Sequence, residues 1–177
     1  MNLSKQKLIL IDGPMGAGKT TTAGLLYKKL GCTAFLGLDR VKWFVSDFSR
    51  TCEKDRIMTN KVVLAMCREY INYRLSIVME QSFRKKDVIN LYLDLSKKHK
   101  IPLLVYELTA PKRILLNRIK HRPYMCPGKK NFPLWRILQN INAYPHKPFA
   151  PVRIIFDSSK LSARQIVNRI VKDIKAV

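Results

Sequence analysis

A chain of 177 residues that is 47% hydrophobic and 26% charged has the composition of a globular domain and not of a disordered one. No apolar run approaches the roughly 18 residues of a membrane helix, and Met1 to Lys7 lacks the apolar core of a secretory signal, so the expectation is one cytoplasmic domain over 1–177 without a membrane partner. The net charge of +22 is a field that draws polyanions and penalises bound cations. In chain order, Leu8-Ile9-Leu10-Ile11 is an apolar run ending in a glycine-rich turn, the pattern of a strand buried on both faces. A helix is expected from Gly18 to Leu30, closed by Gly31 where glycine suits the residue after a helix. Thr33 to Leu38 reads as a second strand with Asp39 at its end, and Arg40 to Ser49 as a helix. Thr59 suits the cap of a further helix in which Val62, Val63, Met66 and Tyr70 recur at near-helical spacing. Leu75 to Met79 reads as the third strand, Asp87 to Lys98 as a helix, and Leu103 to Tyr106 as the fourth strand. Pro111 fits the first turn of a helix running to His121.

Residues 123–151 hold six of the nine prolines, with Tyr124, Phe132, Trp135, Tyr144 and Phe149 among them. They read as an irregular segment around one helix, Leu134 to Ala143, whose aromatics either pack a lid onto the domain or stack on bases. Arg153 to Phe156 is the fifth strand and Ser162 to Ala176 the closing helix. Strands alternating with helices imply an α/β fold with a doubly wound, five-stranded parallel sheet. Cys32, Cys52, Cys67 and Cys126 form no C-x-x-C pair, so neither a zinc cluster nor a redox motif is indicated and the thiols read as reduced and structural. His99, His121 and His146 lack metal-ligand spacing.

Gly13-Pro14-Met15-Gly16-Ala17-Gly18-Lys19-Thr20 matches G-x-x-x-x-G-K-[ST] at every fixed position. Glycines let the backbone curl so that successive N–H groups face phosphate oxygens, and the helix that follows aims its positive end at the same point. Lys19 reaches the β- and γ-phosphates and the Thr20 hydroxyl ligates Mg²⁺, with Thr21 beside it. The preceding strand and following helix are the context that the motif requires. A carboxylate at the carboxyl end of a parallel strand, as Asp39 is expected to be, faces the ligand crevice. It is then placed to accept a proton from an attacking hydroxyl; its alternative is a plain helix cap. Glu80 ends the third strand, and Arg84 follows four residues later. Arg118 and Arg122, four apart, share one helix face.

With these motifs the chain resembles the small P-loop kinases, which are related to nucleoside monophosphate, shikimate and gluconate kinases. Within them it is similar to the branch holding chloramphenicol phosphotransferase, zeta-toxin kinases and polynucleotide 5′-kinases. The resemblance covers nearly the whole chain in element order, although only the phosphate loop is a specific motif. It implies that Asp39 is the general base and that Lys42, where that branch tends to carry arginine, holds an acceptor phosphate as a point charge. It implies further that Glu80 lies beside the metal or the acceptor, unlike the Asp or Asp-Glu that ends an apolar run in motor ATPases. Arg84 would touch an anionic substrate. Arg118 and Arg122 would begin a lid over ATP, within a lid and substrate segment of about 111–150, one neutralising transferred charge and the other lying against adenine. Asp157-Ser158-Ser159 resembles the turn that borders the adenine.

The function implied is transfer of the ATP γ-phosphoryl group to a hydroxyl of a small-molecule or nucleotide-like acceptor, with ATP and Mg²⁺ as cofactors. Three alternatives stay open: a kinase of polynucleotide 5′-hydroxyls, an ATP-switched nucleic-acid-binding protein, and a regulatory ATPase without an acceptor. The charge bears on the first two. From Leu108 to Phe156 there are ten Lys or Arg and no Asp or Glu, which favours an anion-facing surface there over a merely solvated one.

Overall fold

The structure is a computed structural model and describes residues 6–48, 52–83, 85–121, 133–144 and 151–176. Five strands, β1 (Leu8–Asp12), β2 (Thr33–Gly37), β3 (Ser76–Glu80), β4 (Leu103–Thr109) and β5 (Ile154–Asp157), form one sheet. All pairings are parallel, in the order β2-β3-β1-β4-β5. The helices are α1 (Lys19–Leu30), α2 (Leu38–Lys42), α3 (Glu53–Asn72), α4 (Lys86–His99), α5 (Lys112–Lys120), α6 (Leu134–Asn142) and α7 (Ala163–Lys175).

Strand β1 explains why its run is apolar throughout. Leu8 and Leu10 point into one core, shared with Val63 and Cys67 of α3 and Ile89 and Tyr92 of α4. Ile9 and Ile11 point into the other, with Leu26 of α1 and Val167 and Ile170 of α7. Side chains alternate across a strand, so a central strand covered by helices on both faces must be apolar at both parities. Burying each such side chain contributes roughly 1.5–3 kcal/mol. The sheet is thus doubly wound, as the sequence implies.

The winding also fixes the place of the site. The connection leaving β1 passes over the α1 face toward β2, whereas that leaving β3 passes over the α4 face toward β4. The switch point falls between β1 and β3, and ligands bind outside the carboxyl ends of strands at such a point.

Several boundaries differ from the sequence expectations. Strand β2 ends at Gly37, so Asp39 lies in the first turn of α2 and not at a strand end. The helix expected to Ser49 stops at Lys42, because Trp43, Phe44 and Val45 donate to carbonyls three residues back and Asp47 turns left-handed at φ 54°. Thr59 is no cap. Helix α3 begins six residues earlier, at Glu53, and the Thr59 hydroxyl donates to the Asp55 carbonyl (2.8 Å). Strand β4 runs on past Tyr106 to Thr109 and so includes the buried Glu107. Ser162 caps α7 in a reciprocal box with Gln165, a device that contributes about 1 kcal/mol. Among the described residues no helix is long and apolar enough to cross a membrane.

Candidate active site

The loop from Gly13 to Thr20 joins β1 to α1, and backbone geometry decides its composition. Gly13, Gly16 and Gly18 adopt φ of 143°, 85° and 91°, a region that L side chains rarely enter. A Cβ at Gly13 would stand 2.3 Å from the Leu108 carbonyl oxygen, and one at Gly16 2.8 Å from that of Leu115. Pro14, Met15 and Ala17 fill the span between them, with the Ala17 N–H donating to the Pro14 carbonyl (3.2 Å). Lys19 curls back across the loop, its Nζ donating to the Pro14 carbonyl (2.9 Å). Helix α1 starts without a side-chain cap and without an acidic residue in its first turn. Its free N–H groups and positive end are left for an anion.

Thr20 and Glu80 meet at the base of this loop. The Thr20 hydroxyl donates to Glu80 Oε1 (3.1 Å), and Glu80 is buried between Gly37 and Ile11 of the flanking strands. A hydroxyl and a carboxylate held this close suit a hard divalent cation, which takes oxygen ligands. The donor set therefore fits Mg²⁺ with Thr20 and Glu80 as its holders. Gly37 makes the room, since a Cβ there would stand 3.1 Å from Glu80 Oε1.

One cleft of about 710 Å³ joins the loop to α2, α3 and α6, and Lys19, Thr20, Thr21, Asp39, Lys42, Glu80 and Arg118 all line it. Asp39 is 73% exposed at its side chain and pairs with Lys42 Nζ at 2.8 Å. Arg118 is pinned: Nη2 donates to the Ser158 carbonyl (2.6 Å) and Nη1 to the Ser158 hydroxyl (3.0 Å), with a longer bond to the Gly16 carbonyl (3.4 Å). It thus ties α5 to the phosphate loop and to the turn after β5, the turn singled out by sequence as an adenine border. In that turn Asp157 accepts from the Ser159 N–H (2.9 Å) and hydroxyl. Arg84 and, within the expected lid, residues 122–132 and 145–150 with Arg122, Cys126 and His146 lie outside the described residues. Cys32 and Cys67 are free thiols, and no group of three or more His, Cys, Asp or Glu among the described residues has metal-binding geometry.

Sequence reasoning missed a second set of residues. Asp12 ends β1, buried, and its Oδ1 accepts from the N–H groups of Gly13 (2.6 Å) and Phe83 (3.0 Å). The Ser82 hydroxyl donates to the Gly13 carbonyl (2.8 Å), so the first glycine of the loop is tied to the segment after β3 directly at its carbonyl and through the Asp12 carboxylate at its N–H. Glu107 is the register partner of Asp12 on β4, and the Tyr144 hydroxyl comes near both carboxylates. Neither that hydroxyl nor Glu107 Oε2 completes a hydrogen bond. Burial pushes Asp12 up from the usual carboxylate range, partly offset by its backbone hydrogen bonds. Burial, and then the charge of Asp12, pushes Glu107 up. Burial and the two carboxylates raise the Tyr144 phenol and keep it protonated.

A carboxyl whose folded pKa is raised binds more protons folded than unfolded between its ordinary value, about 4, and the raised one. Stability contributed by these groups is therefore lost as pH climbs through that window. Glu107→Gln is expected to raise Tm above wild type at pH 7 and to leave it unchanged near pH 4, as thermal melts at the two pH values will read. A gain confined to low pH would reject this account.

The sequence matches a family model described as an AAA domain (AAA_18) over residues 9–140. No curated protein matches it. Among solved structures, the APS kinase CysC of Mycobacterium tuberculosis, in complex with AMPPNP and APS, superposes with a TM-score of 0.73 at 14% identity, over 98% of this chain and 99% of that one. A sugar kinase from Janibacter sp. HTCC2649 gives a TM-score of 0.68 at 15% identity, over 96% and 94%. The tunicamycin resistance protein of Deinococcus radiodurans gives 0.62 at 17%, over 96% and 95%. At such identities these likenesses show the fold. The family match adds sequence evidence over the stretch that carries the loop, the switch point and most of the cleft, and by it the chain belongs to the AAA_18 family of P-loop kinase-like proteins.

Proposed function

We propose that the chain is an ATP-dependent phosphotransferase that moves the γ-phosphoryl group to a hydroxyl of a small or nucleotide-like acceptor. The observation that carries this reading is one cleft in which a glycine-turned loop with Lys19 faces an exposed carboxylate, Asp39, across the carboxyl edge of the sheet. Backbone N–H groups of residues 15–20 bind the phosphates, and Lys19 sits over the β- and γ-oxygens. When bound at Thr20 and Glu80, Mg²⁺ would neutralise charge on those oxygens. Asp39 accepts the proton of the acceptor hydroxyl as its oxygen bonds to the γ-phosphorus. The bond from that phosphorus to the β–γ bridging oxygen breaks, and ADP leaves. Arg118, held at Ser158 and Gly16, lines the nucleotide side and offers its guanidinium to phosphate. Arg122 and Arg84 complete the lid and the substrate side in this proposal, within one domain of 177 residues acting in the cytoplasm.

Catalysis of this kind is mostly positioning and charge stabilisation. A γ-³²P transfer screen tests it, with nucleosides, nucleotides, a 5′-hydroxyl oligonucleotide and aminosugar or antibiotic alcohols as acceptors. Label found in water alone would count against a kinase and for an ATPase. The charge of +22 supports a second reading, action on polynucleotide 5′-ends or ATP-switched binding of nucleic acid. Oligonucleotide affinity that falls steeply with salt would favour it, and no binding even at low salt would remove it.

A further inference from the structure

We propose that the acceptor carries its own phosphate monoester, which docks between Arg56 and Lys85 on the side of the cleft away from the phosphate loop; this rests on the kinase reading above. The cleft has two ends. Lys19, Thr20 and Arg118 lie at the nucleotide end, whereas Lys42, Arg56 and Lys85, from α2, α3 and the residue before α4, line the other side, three cations against the single carboxylate of Asp39. Glu80, the other acidic lining residue, is bonded to Thr20. A cleft wall with that balance favours an anion over a neutral alcohol.

The geometry is more specific than the sum of charges. Arg56 Nη2 donates to Glu53 Oε1 (2.6 Å), and Lys85 Nζ stands 3.8 Å from the same oxygen. Two cations from different elements, the first turn of α3 and the residue before α4, therefore already converge on one oxyanion. Glu53 is 68% exposed and does not line the cleft. Exposed pairs of this sort contribute little, so a phosphate dianion, with more charge and more acceptor oxygens, displaces it.

A second observation points to a polar ligand beside that phosphate. Asn60 and Gln81 both line the cleft, and their Oδ1 and Oε1 atoms are buried without a hydrogen-bond partner. Buried carbonyl oxygens in this state are uncommon. Two of them near a proton-accepting Asp39 suit the hydroxyls of a polyol. No described residue lining the cleft is aromatic, whereas single-stranded nucleic acid is held by stacking platforms along a basic track. The volume of about 710 Å³ is that of small-molecule sites. These features favour a small phosphorylated hydroxyl compound over a polynucleotide end.

The test uses the full chain saturated with Mg–AMPPNP, whose own binding is measured first by calorimetry. Matched pairs are then titrated: ribose 5-phosphate against ribose, cytidine 5′-monophosphate against cytidine, and a 5′-hydroxyl oligonucleotide. The phosphorylated member of at least one pair is expected to bind at least about tenfold more tightly, the scale of a charge-assisted contact. Which pair shows the preference separates a sugar phosphate from a nucleotide. Arg56→Ala and Lys85→Ala should each remove most of that preference. Glu53→Gln should strengthen it, a sign that a merely structural role would not produce, with circular dichroism confirming that each variant is folded. Absent or equal binding of both members in every pair overturns the proposal. So does a preference that survives the double replacement of Arg56 and Lys85, or tighter binding of the oligonucleotide. Failure of AMPPNP itself to bind would instead sink the transfer reading beneath it.

Discussion

Lys19→Ala is expected to slow phosphoryl transfer by at least about a hundredfold, the scale lost when one phosphate-directed group is removed from a preorganised site. The loop should survive the change. Its path is set by the positive φ of Gly13, Gly16 and Gly18 and by the close approach of the Leu108 and Leu115 carbonyls. The Lys19 ammonium adds one bond to Pro14 across a shape that is already made. Loss of rate would then report the missing charge over the β- and γ-oxygens and not a collapsed cradle. Lys19→Arg should not restore it, since a planar fork replaces a compact charge in a space fixed by backbone. The measurement is single-turnover transfer from γ-³²P ATP with melting curves beside it. Near-normal turnover in Lys19→Ala would remove the assignment of the loop, and with it the roles given to Thr20 and Asp39.

The parts of the molecule legible from sequence are those where a local rule and the tertiary environment agree. Leu8 to Ile11 could be read as a central strand because burial on both faces demands apolar residues at both parities. The loop could be read because only glycine tolerates its dihedral angles. The boundaries that shifted are those where the rules compete. Thr59 is a good capping residue placed mid-helix, where its hydroxyl bonds back to Asp55, an option open to threonine in both settings. Glu107 looks like the punctuation after an apolar run, yet β4 carries it inside the sheet edge beside Asp12. A buried charge inside a strand contradicts the hydrophobic pattern that finds strands.

The charge distribution along the chain points to only part of the basic lining of the cleft. The acid-free stretch from Leu108 to Phe156 supplies Arg118 and Arg136 to the cleft among the described residues, but Lys42, Arg56 and Lys85 come from outside it. They gather because α2, the start of α3 and the segment before α4 all lie at the carboxyl edge of the sheet. Convergence of this kind depends on strand order, and strand order has no local signature. Asp12 is a further case, just outside the motif. It stands one residue before the glycine that opens the loop, and only the fold shows that its carboxylate receives the N–H of Phe83, 71 positions away.

Asp39→Asn is the replacement that separates catalysis from scaffolding. Asparagine keeps the shape of the side chain and can still accept a hydrogen bond from Lys42, which lies 2.8 Å from Asp39 Oδ1. It cannot take a proton from an acceptor hydroxyl. If Asp39 is the base, kcat should fall by about 10²–10⁴-fold, the usual contribution of a positioned proton acceptor. KM for ATP should stay within about twofold, because uniform binding is untouched. A structural role predicts a different result. Helix α2 has Gly37 at its cap position and no side-chain capping bond, so a neutral residue at 39 forfeits only the favourable charge in the first turn, about 0.3–1 kcal/mol. That loss would appear in Tm and leave turnover nearly intact. Lys42→Ala serves as the counterpart, expected to raise KM for an anionic acceptor while sparing kcat, since a point charge that binds ground and transition states alike acts on binding alone. Undiminished kcat in Asp39→Asn, with a lowered Tm, would return this carboxylate to the role of a helix-end charge and leave proton removal to another group in the cleft.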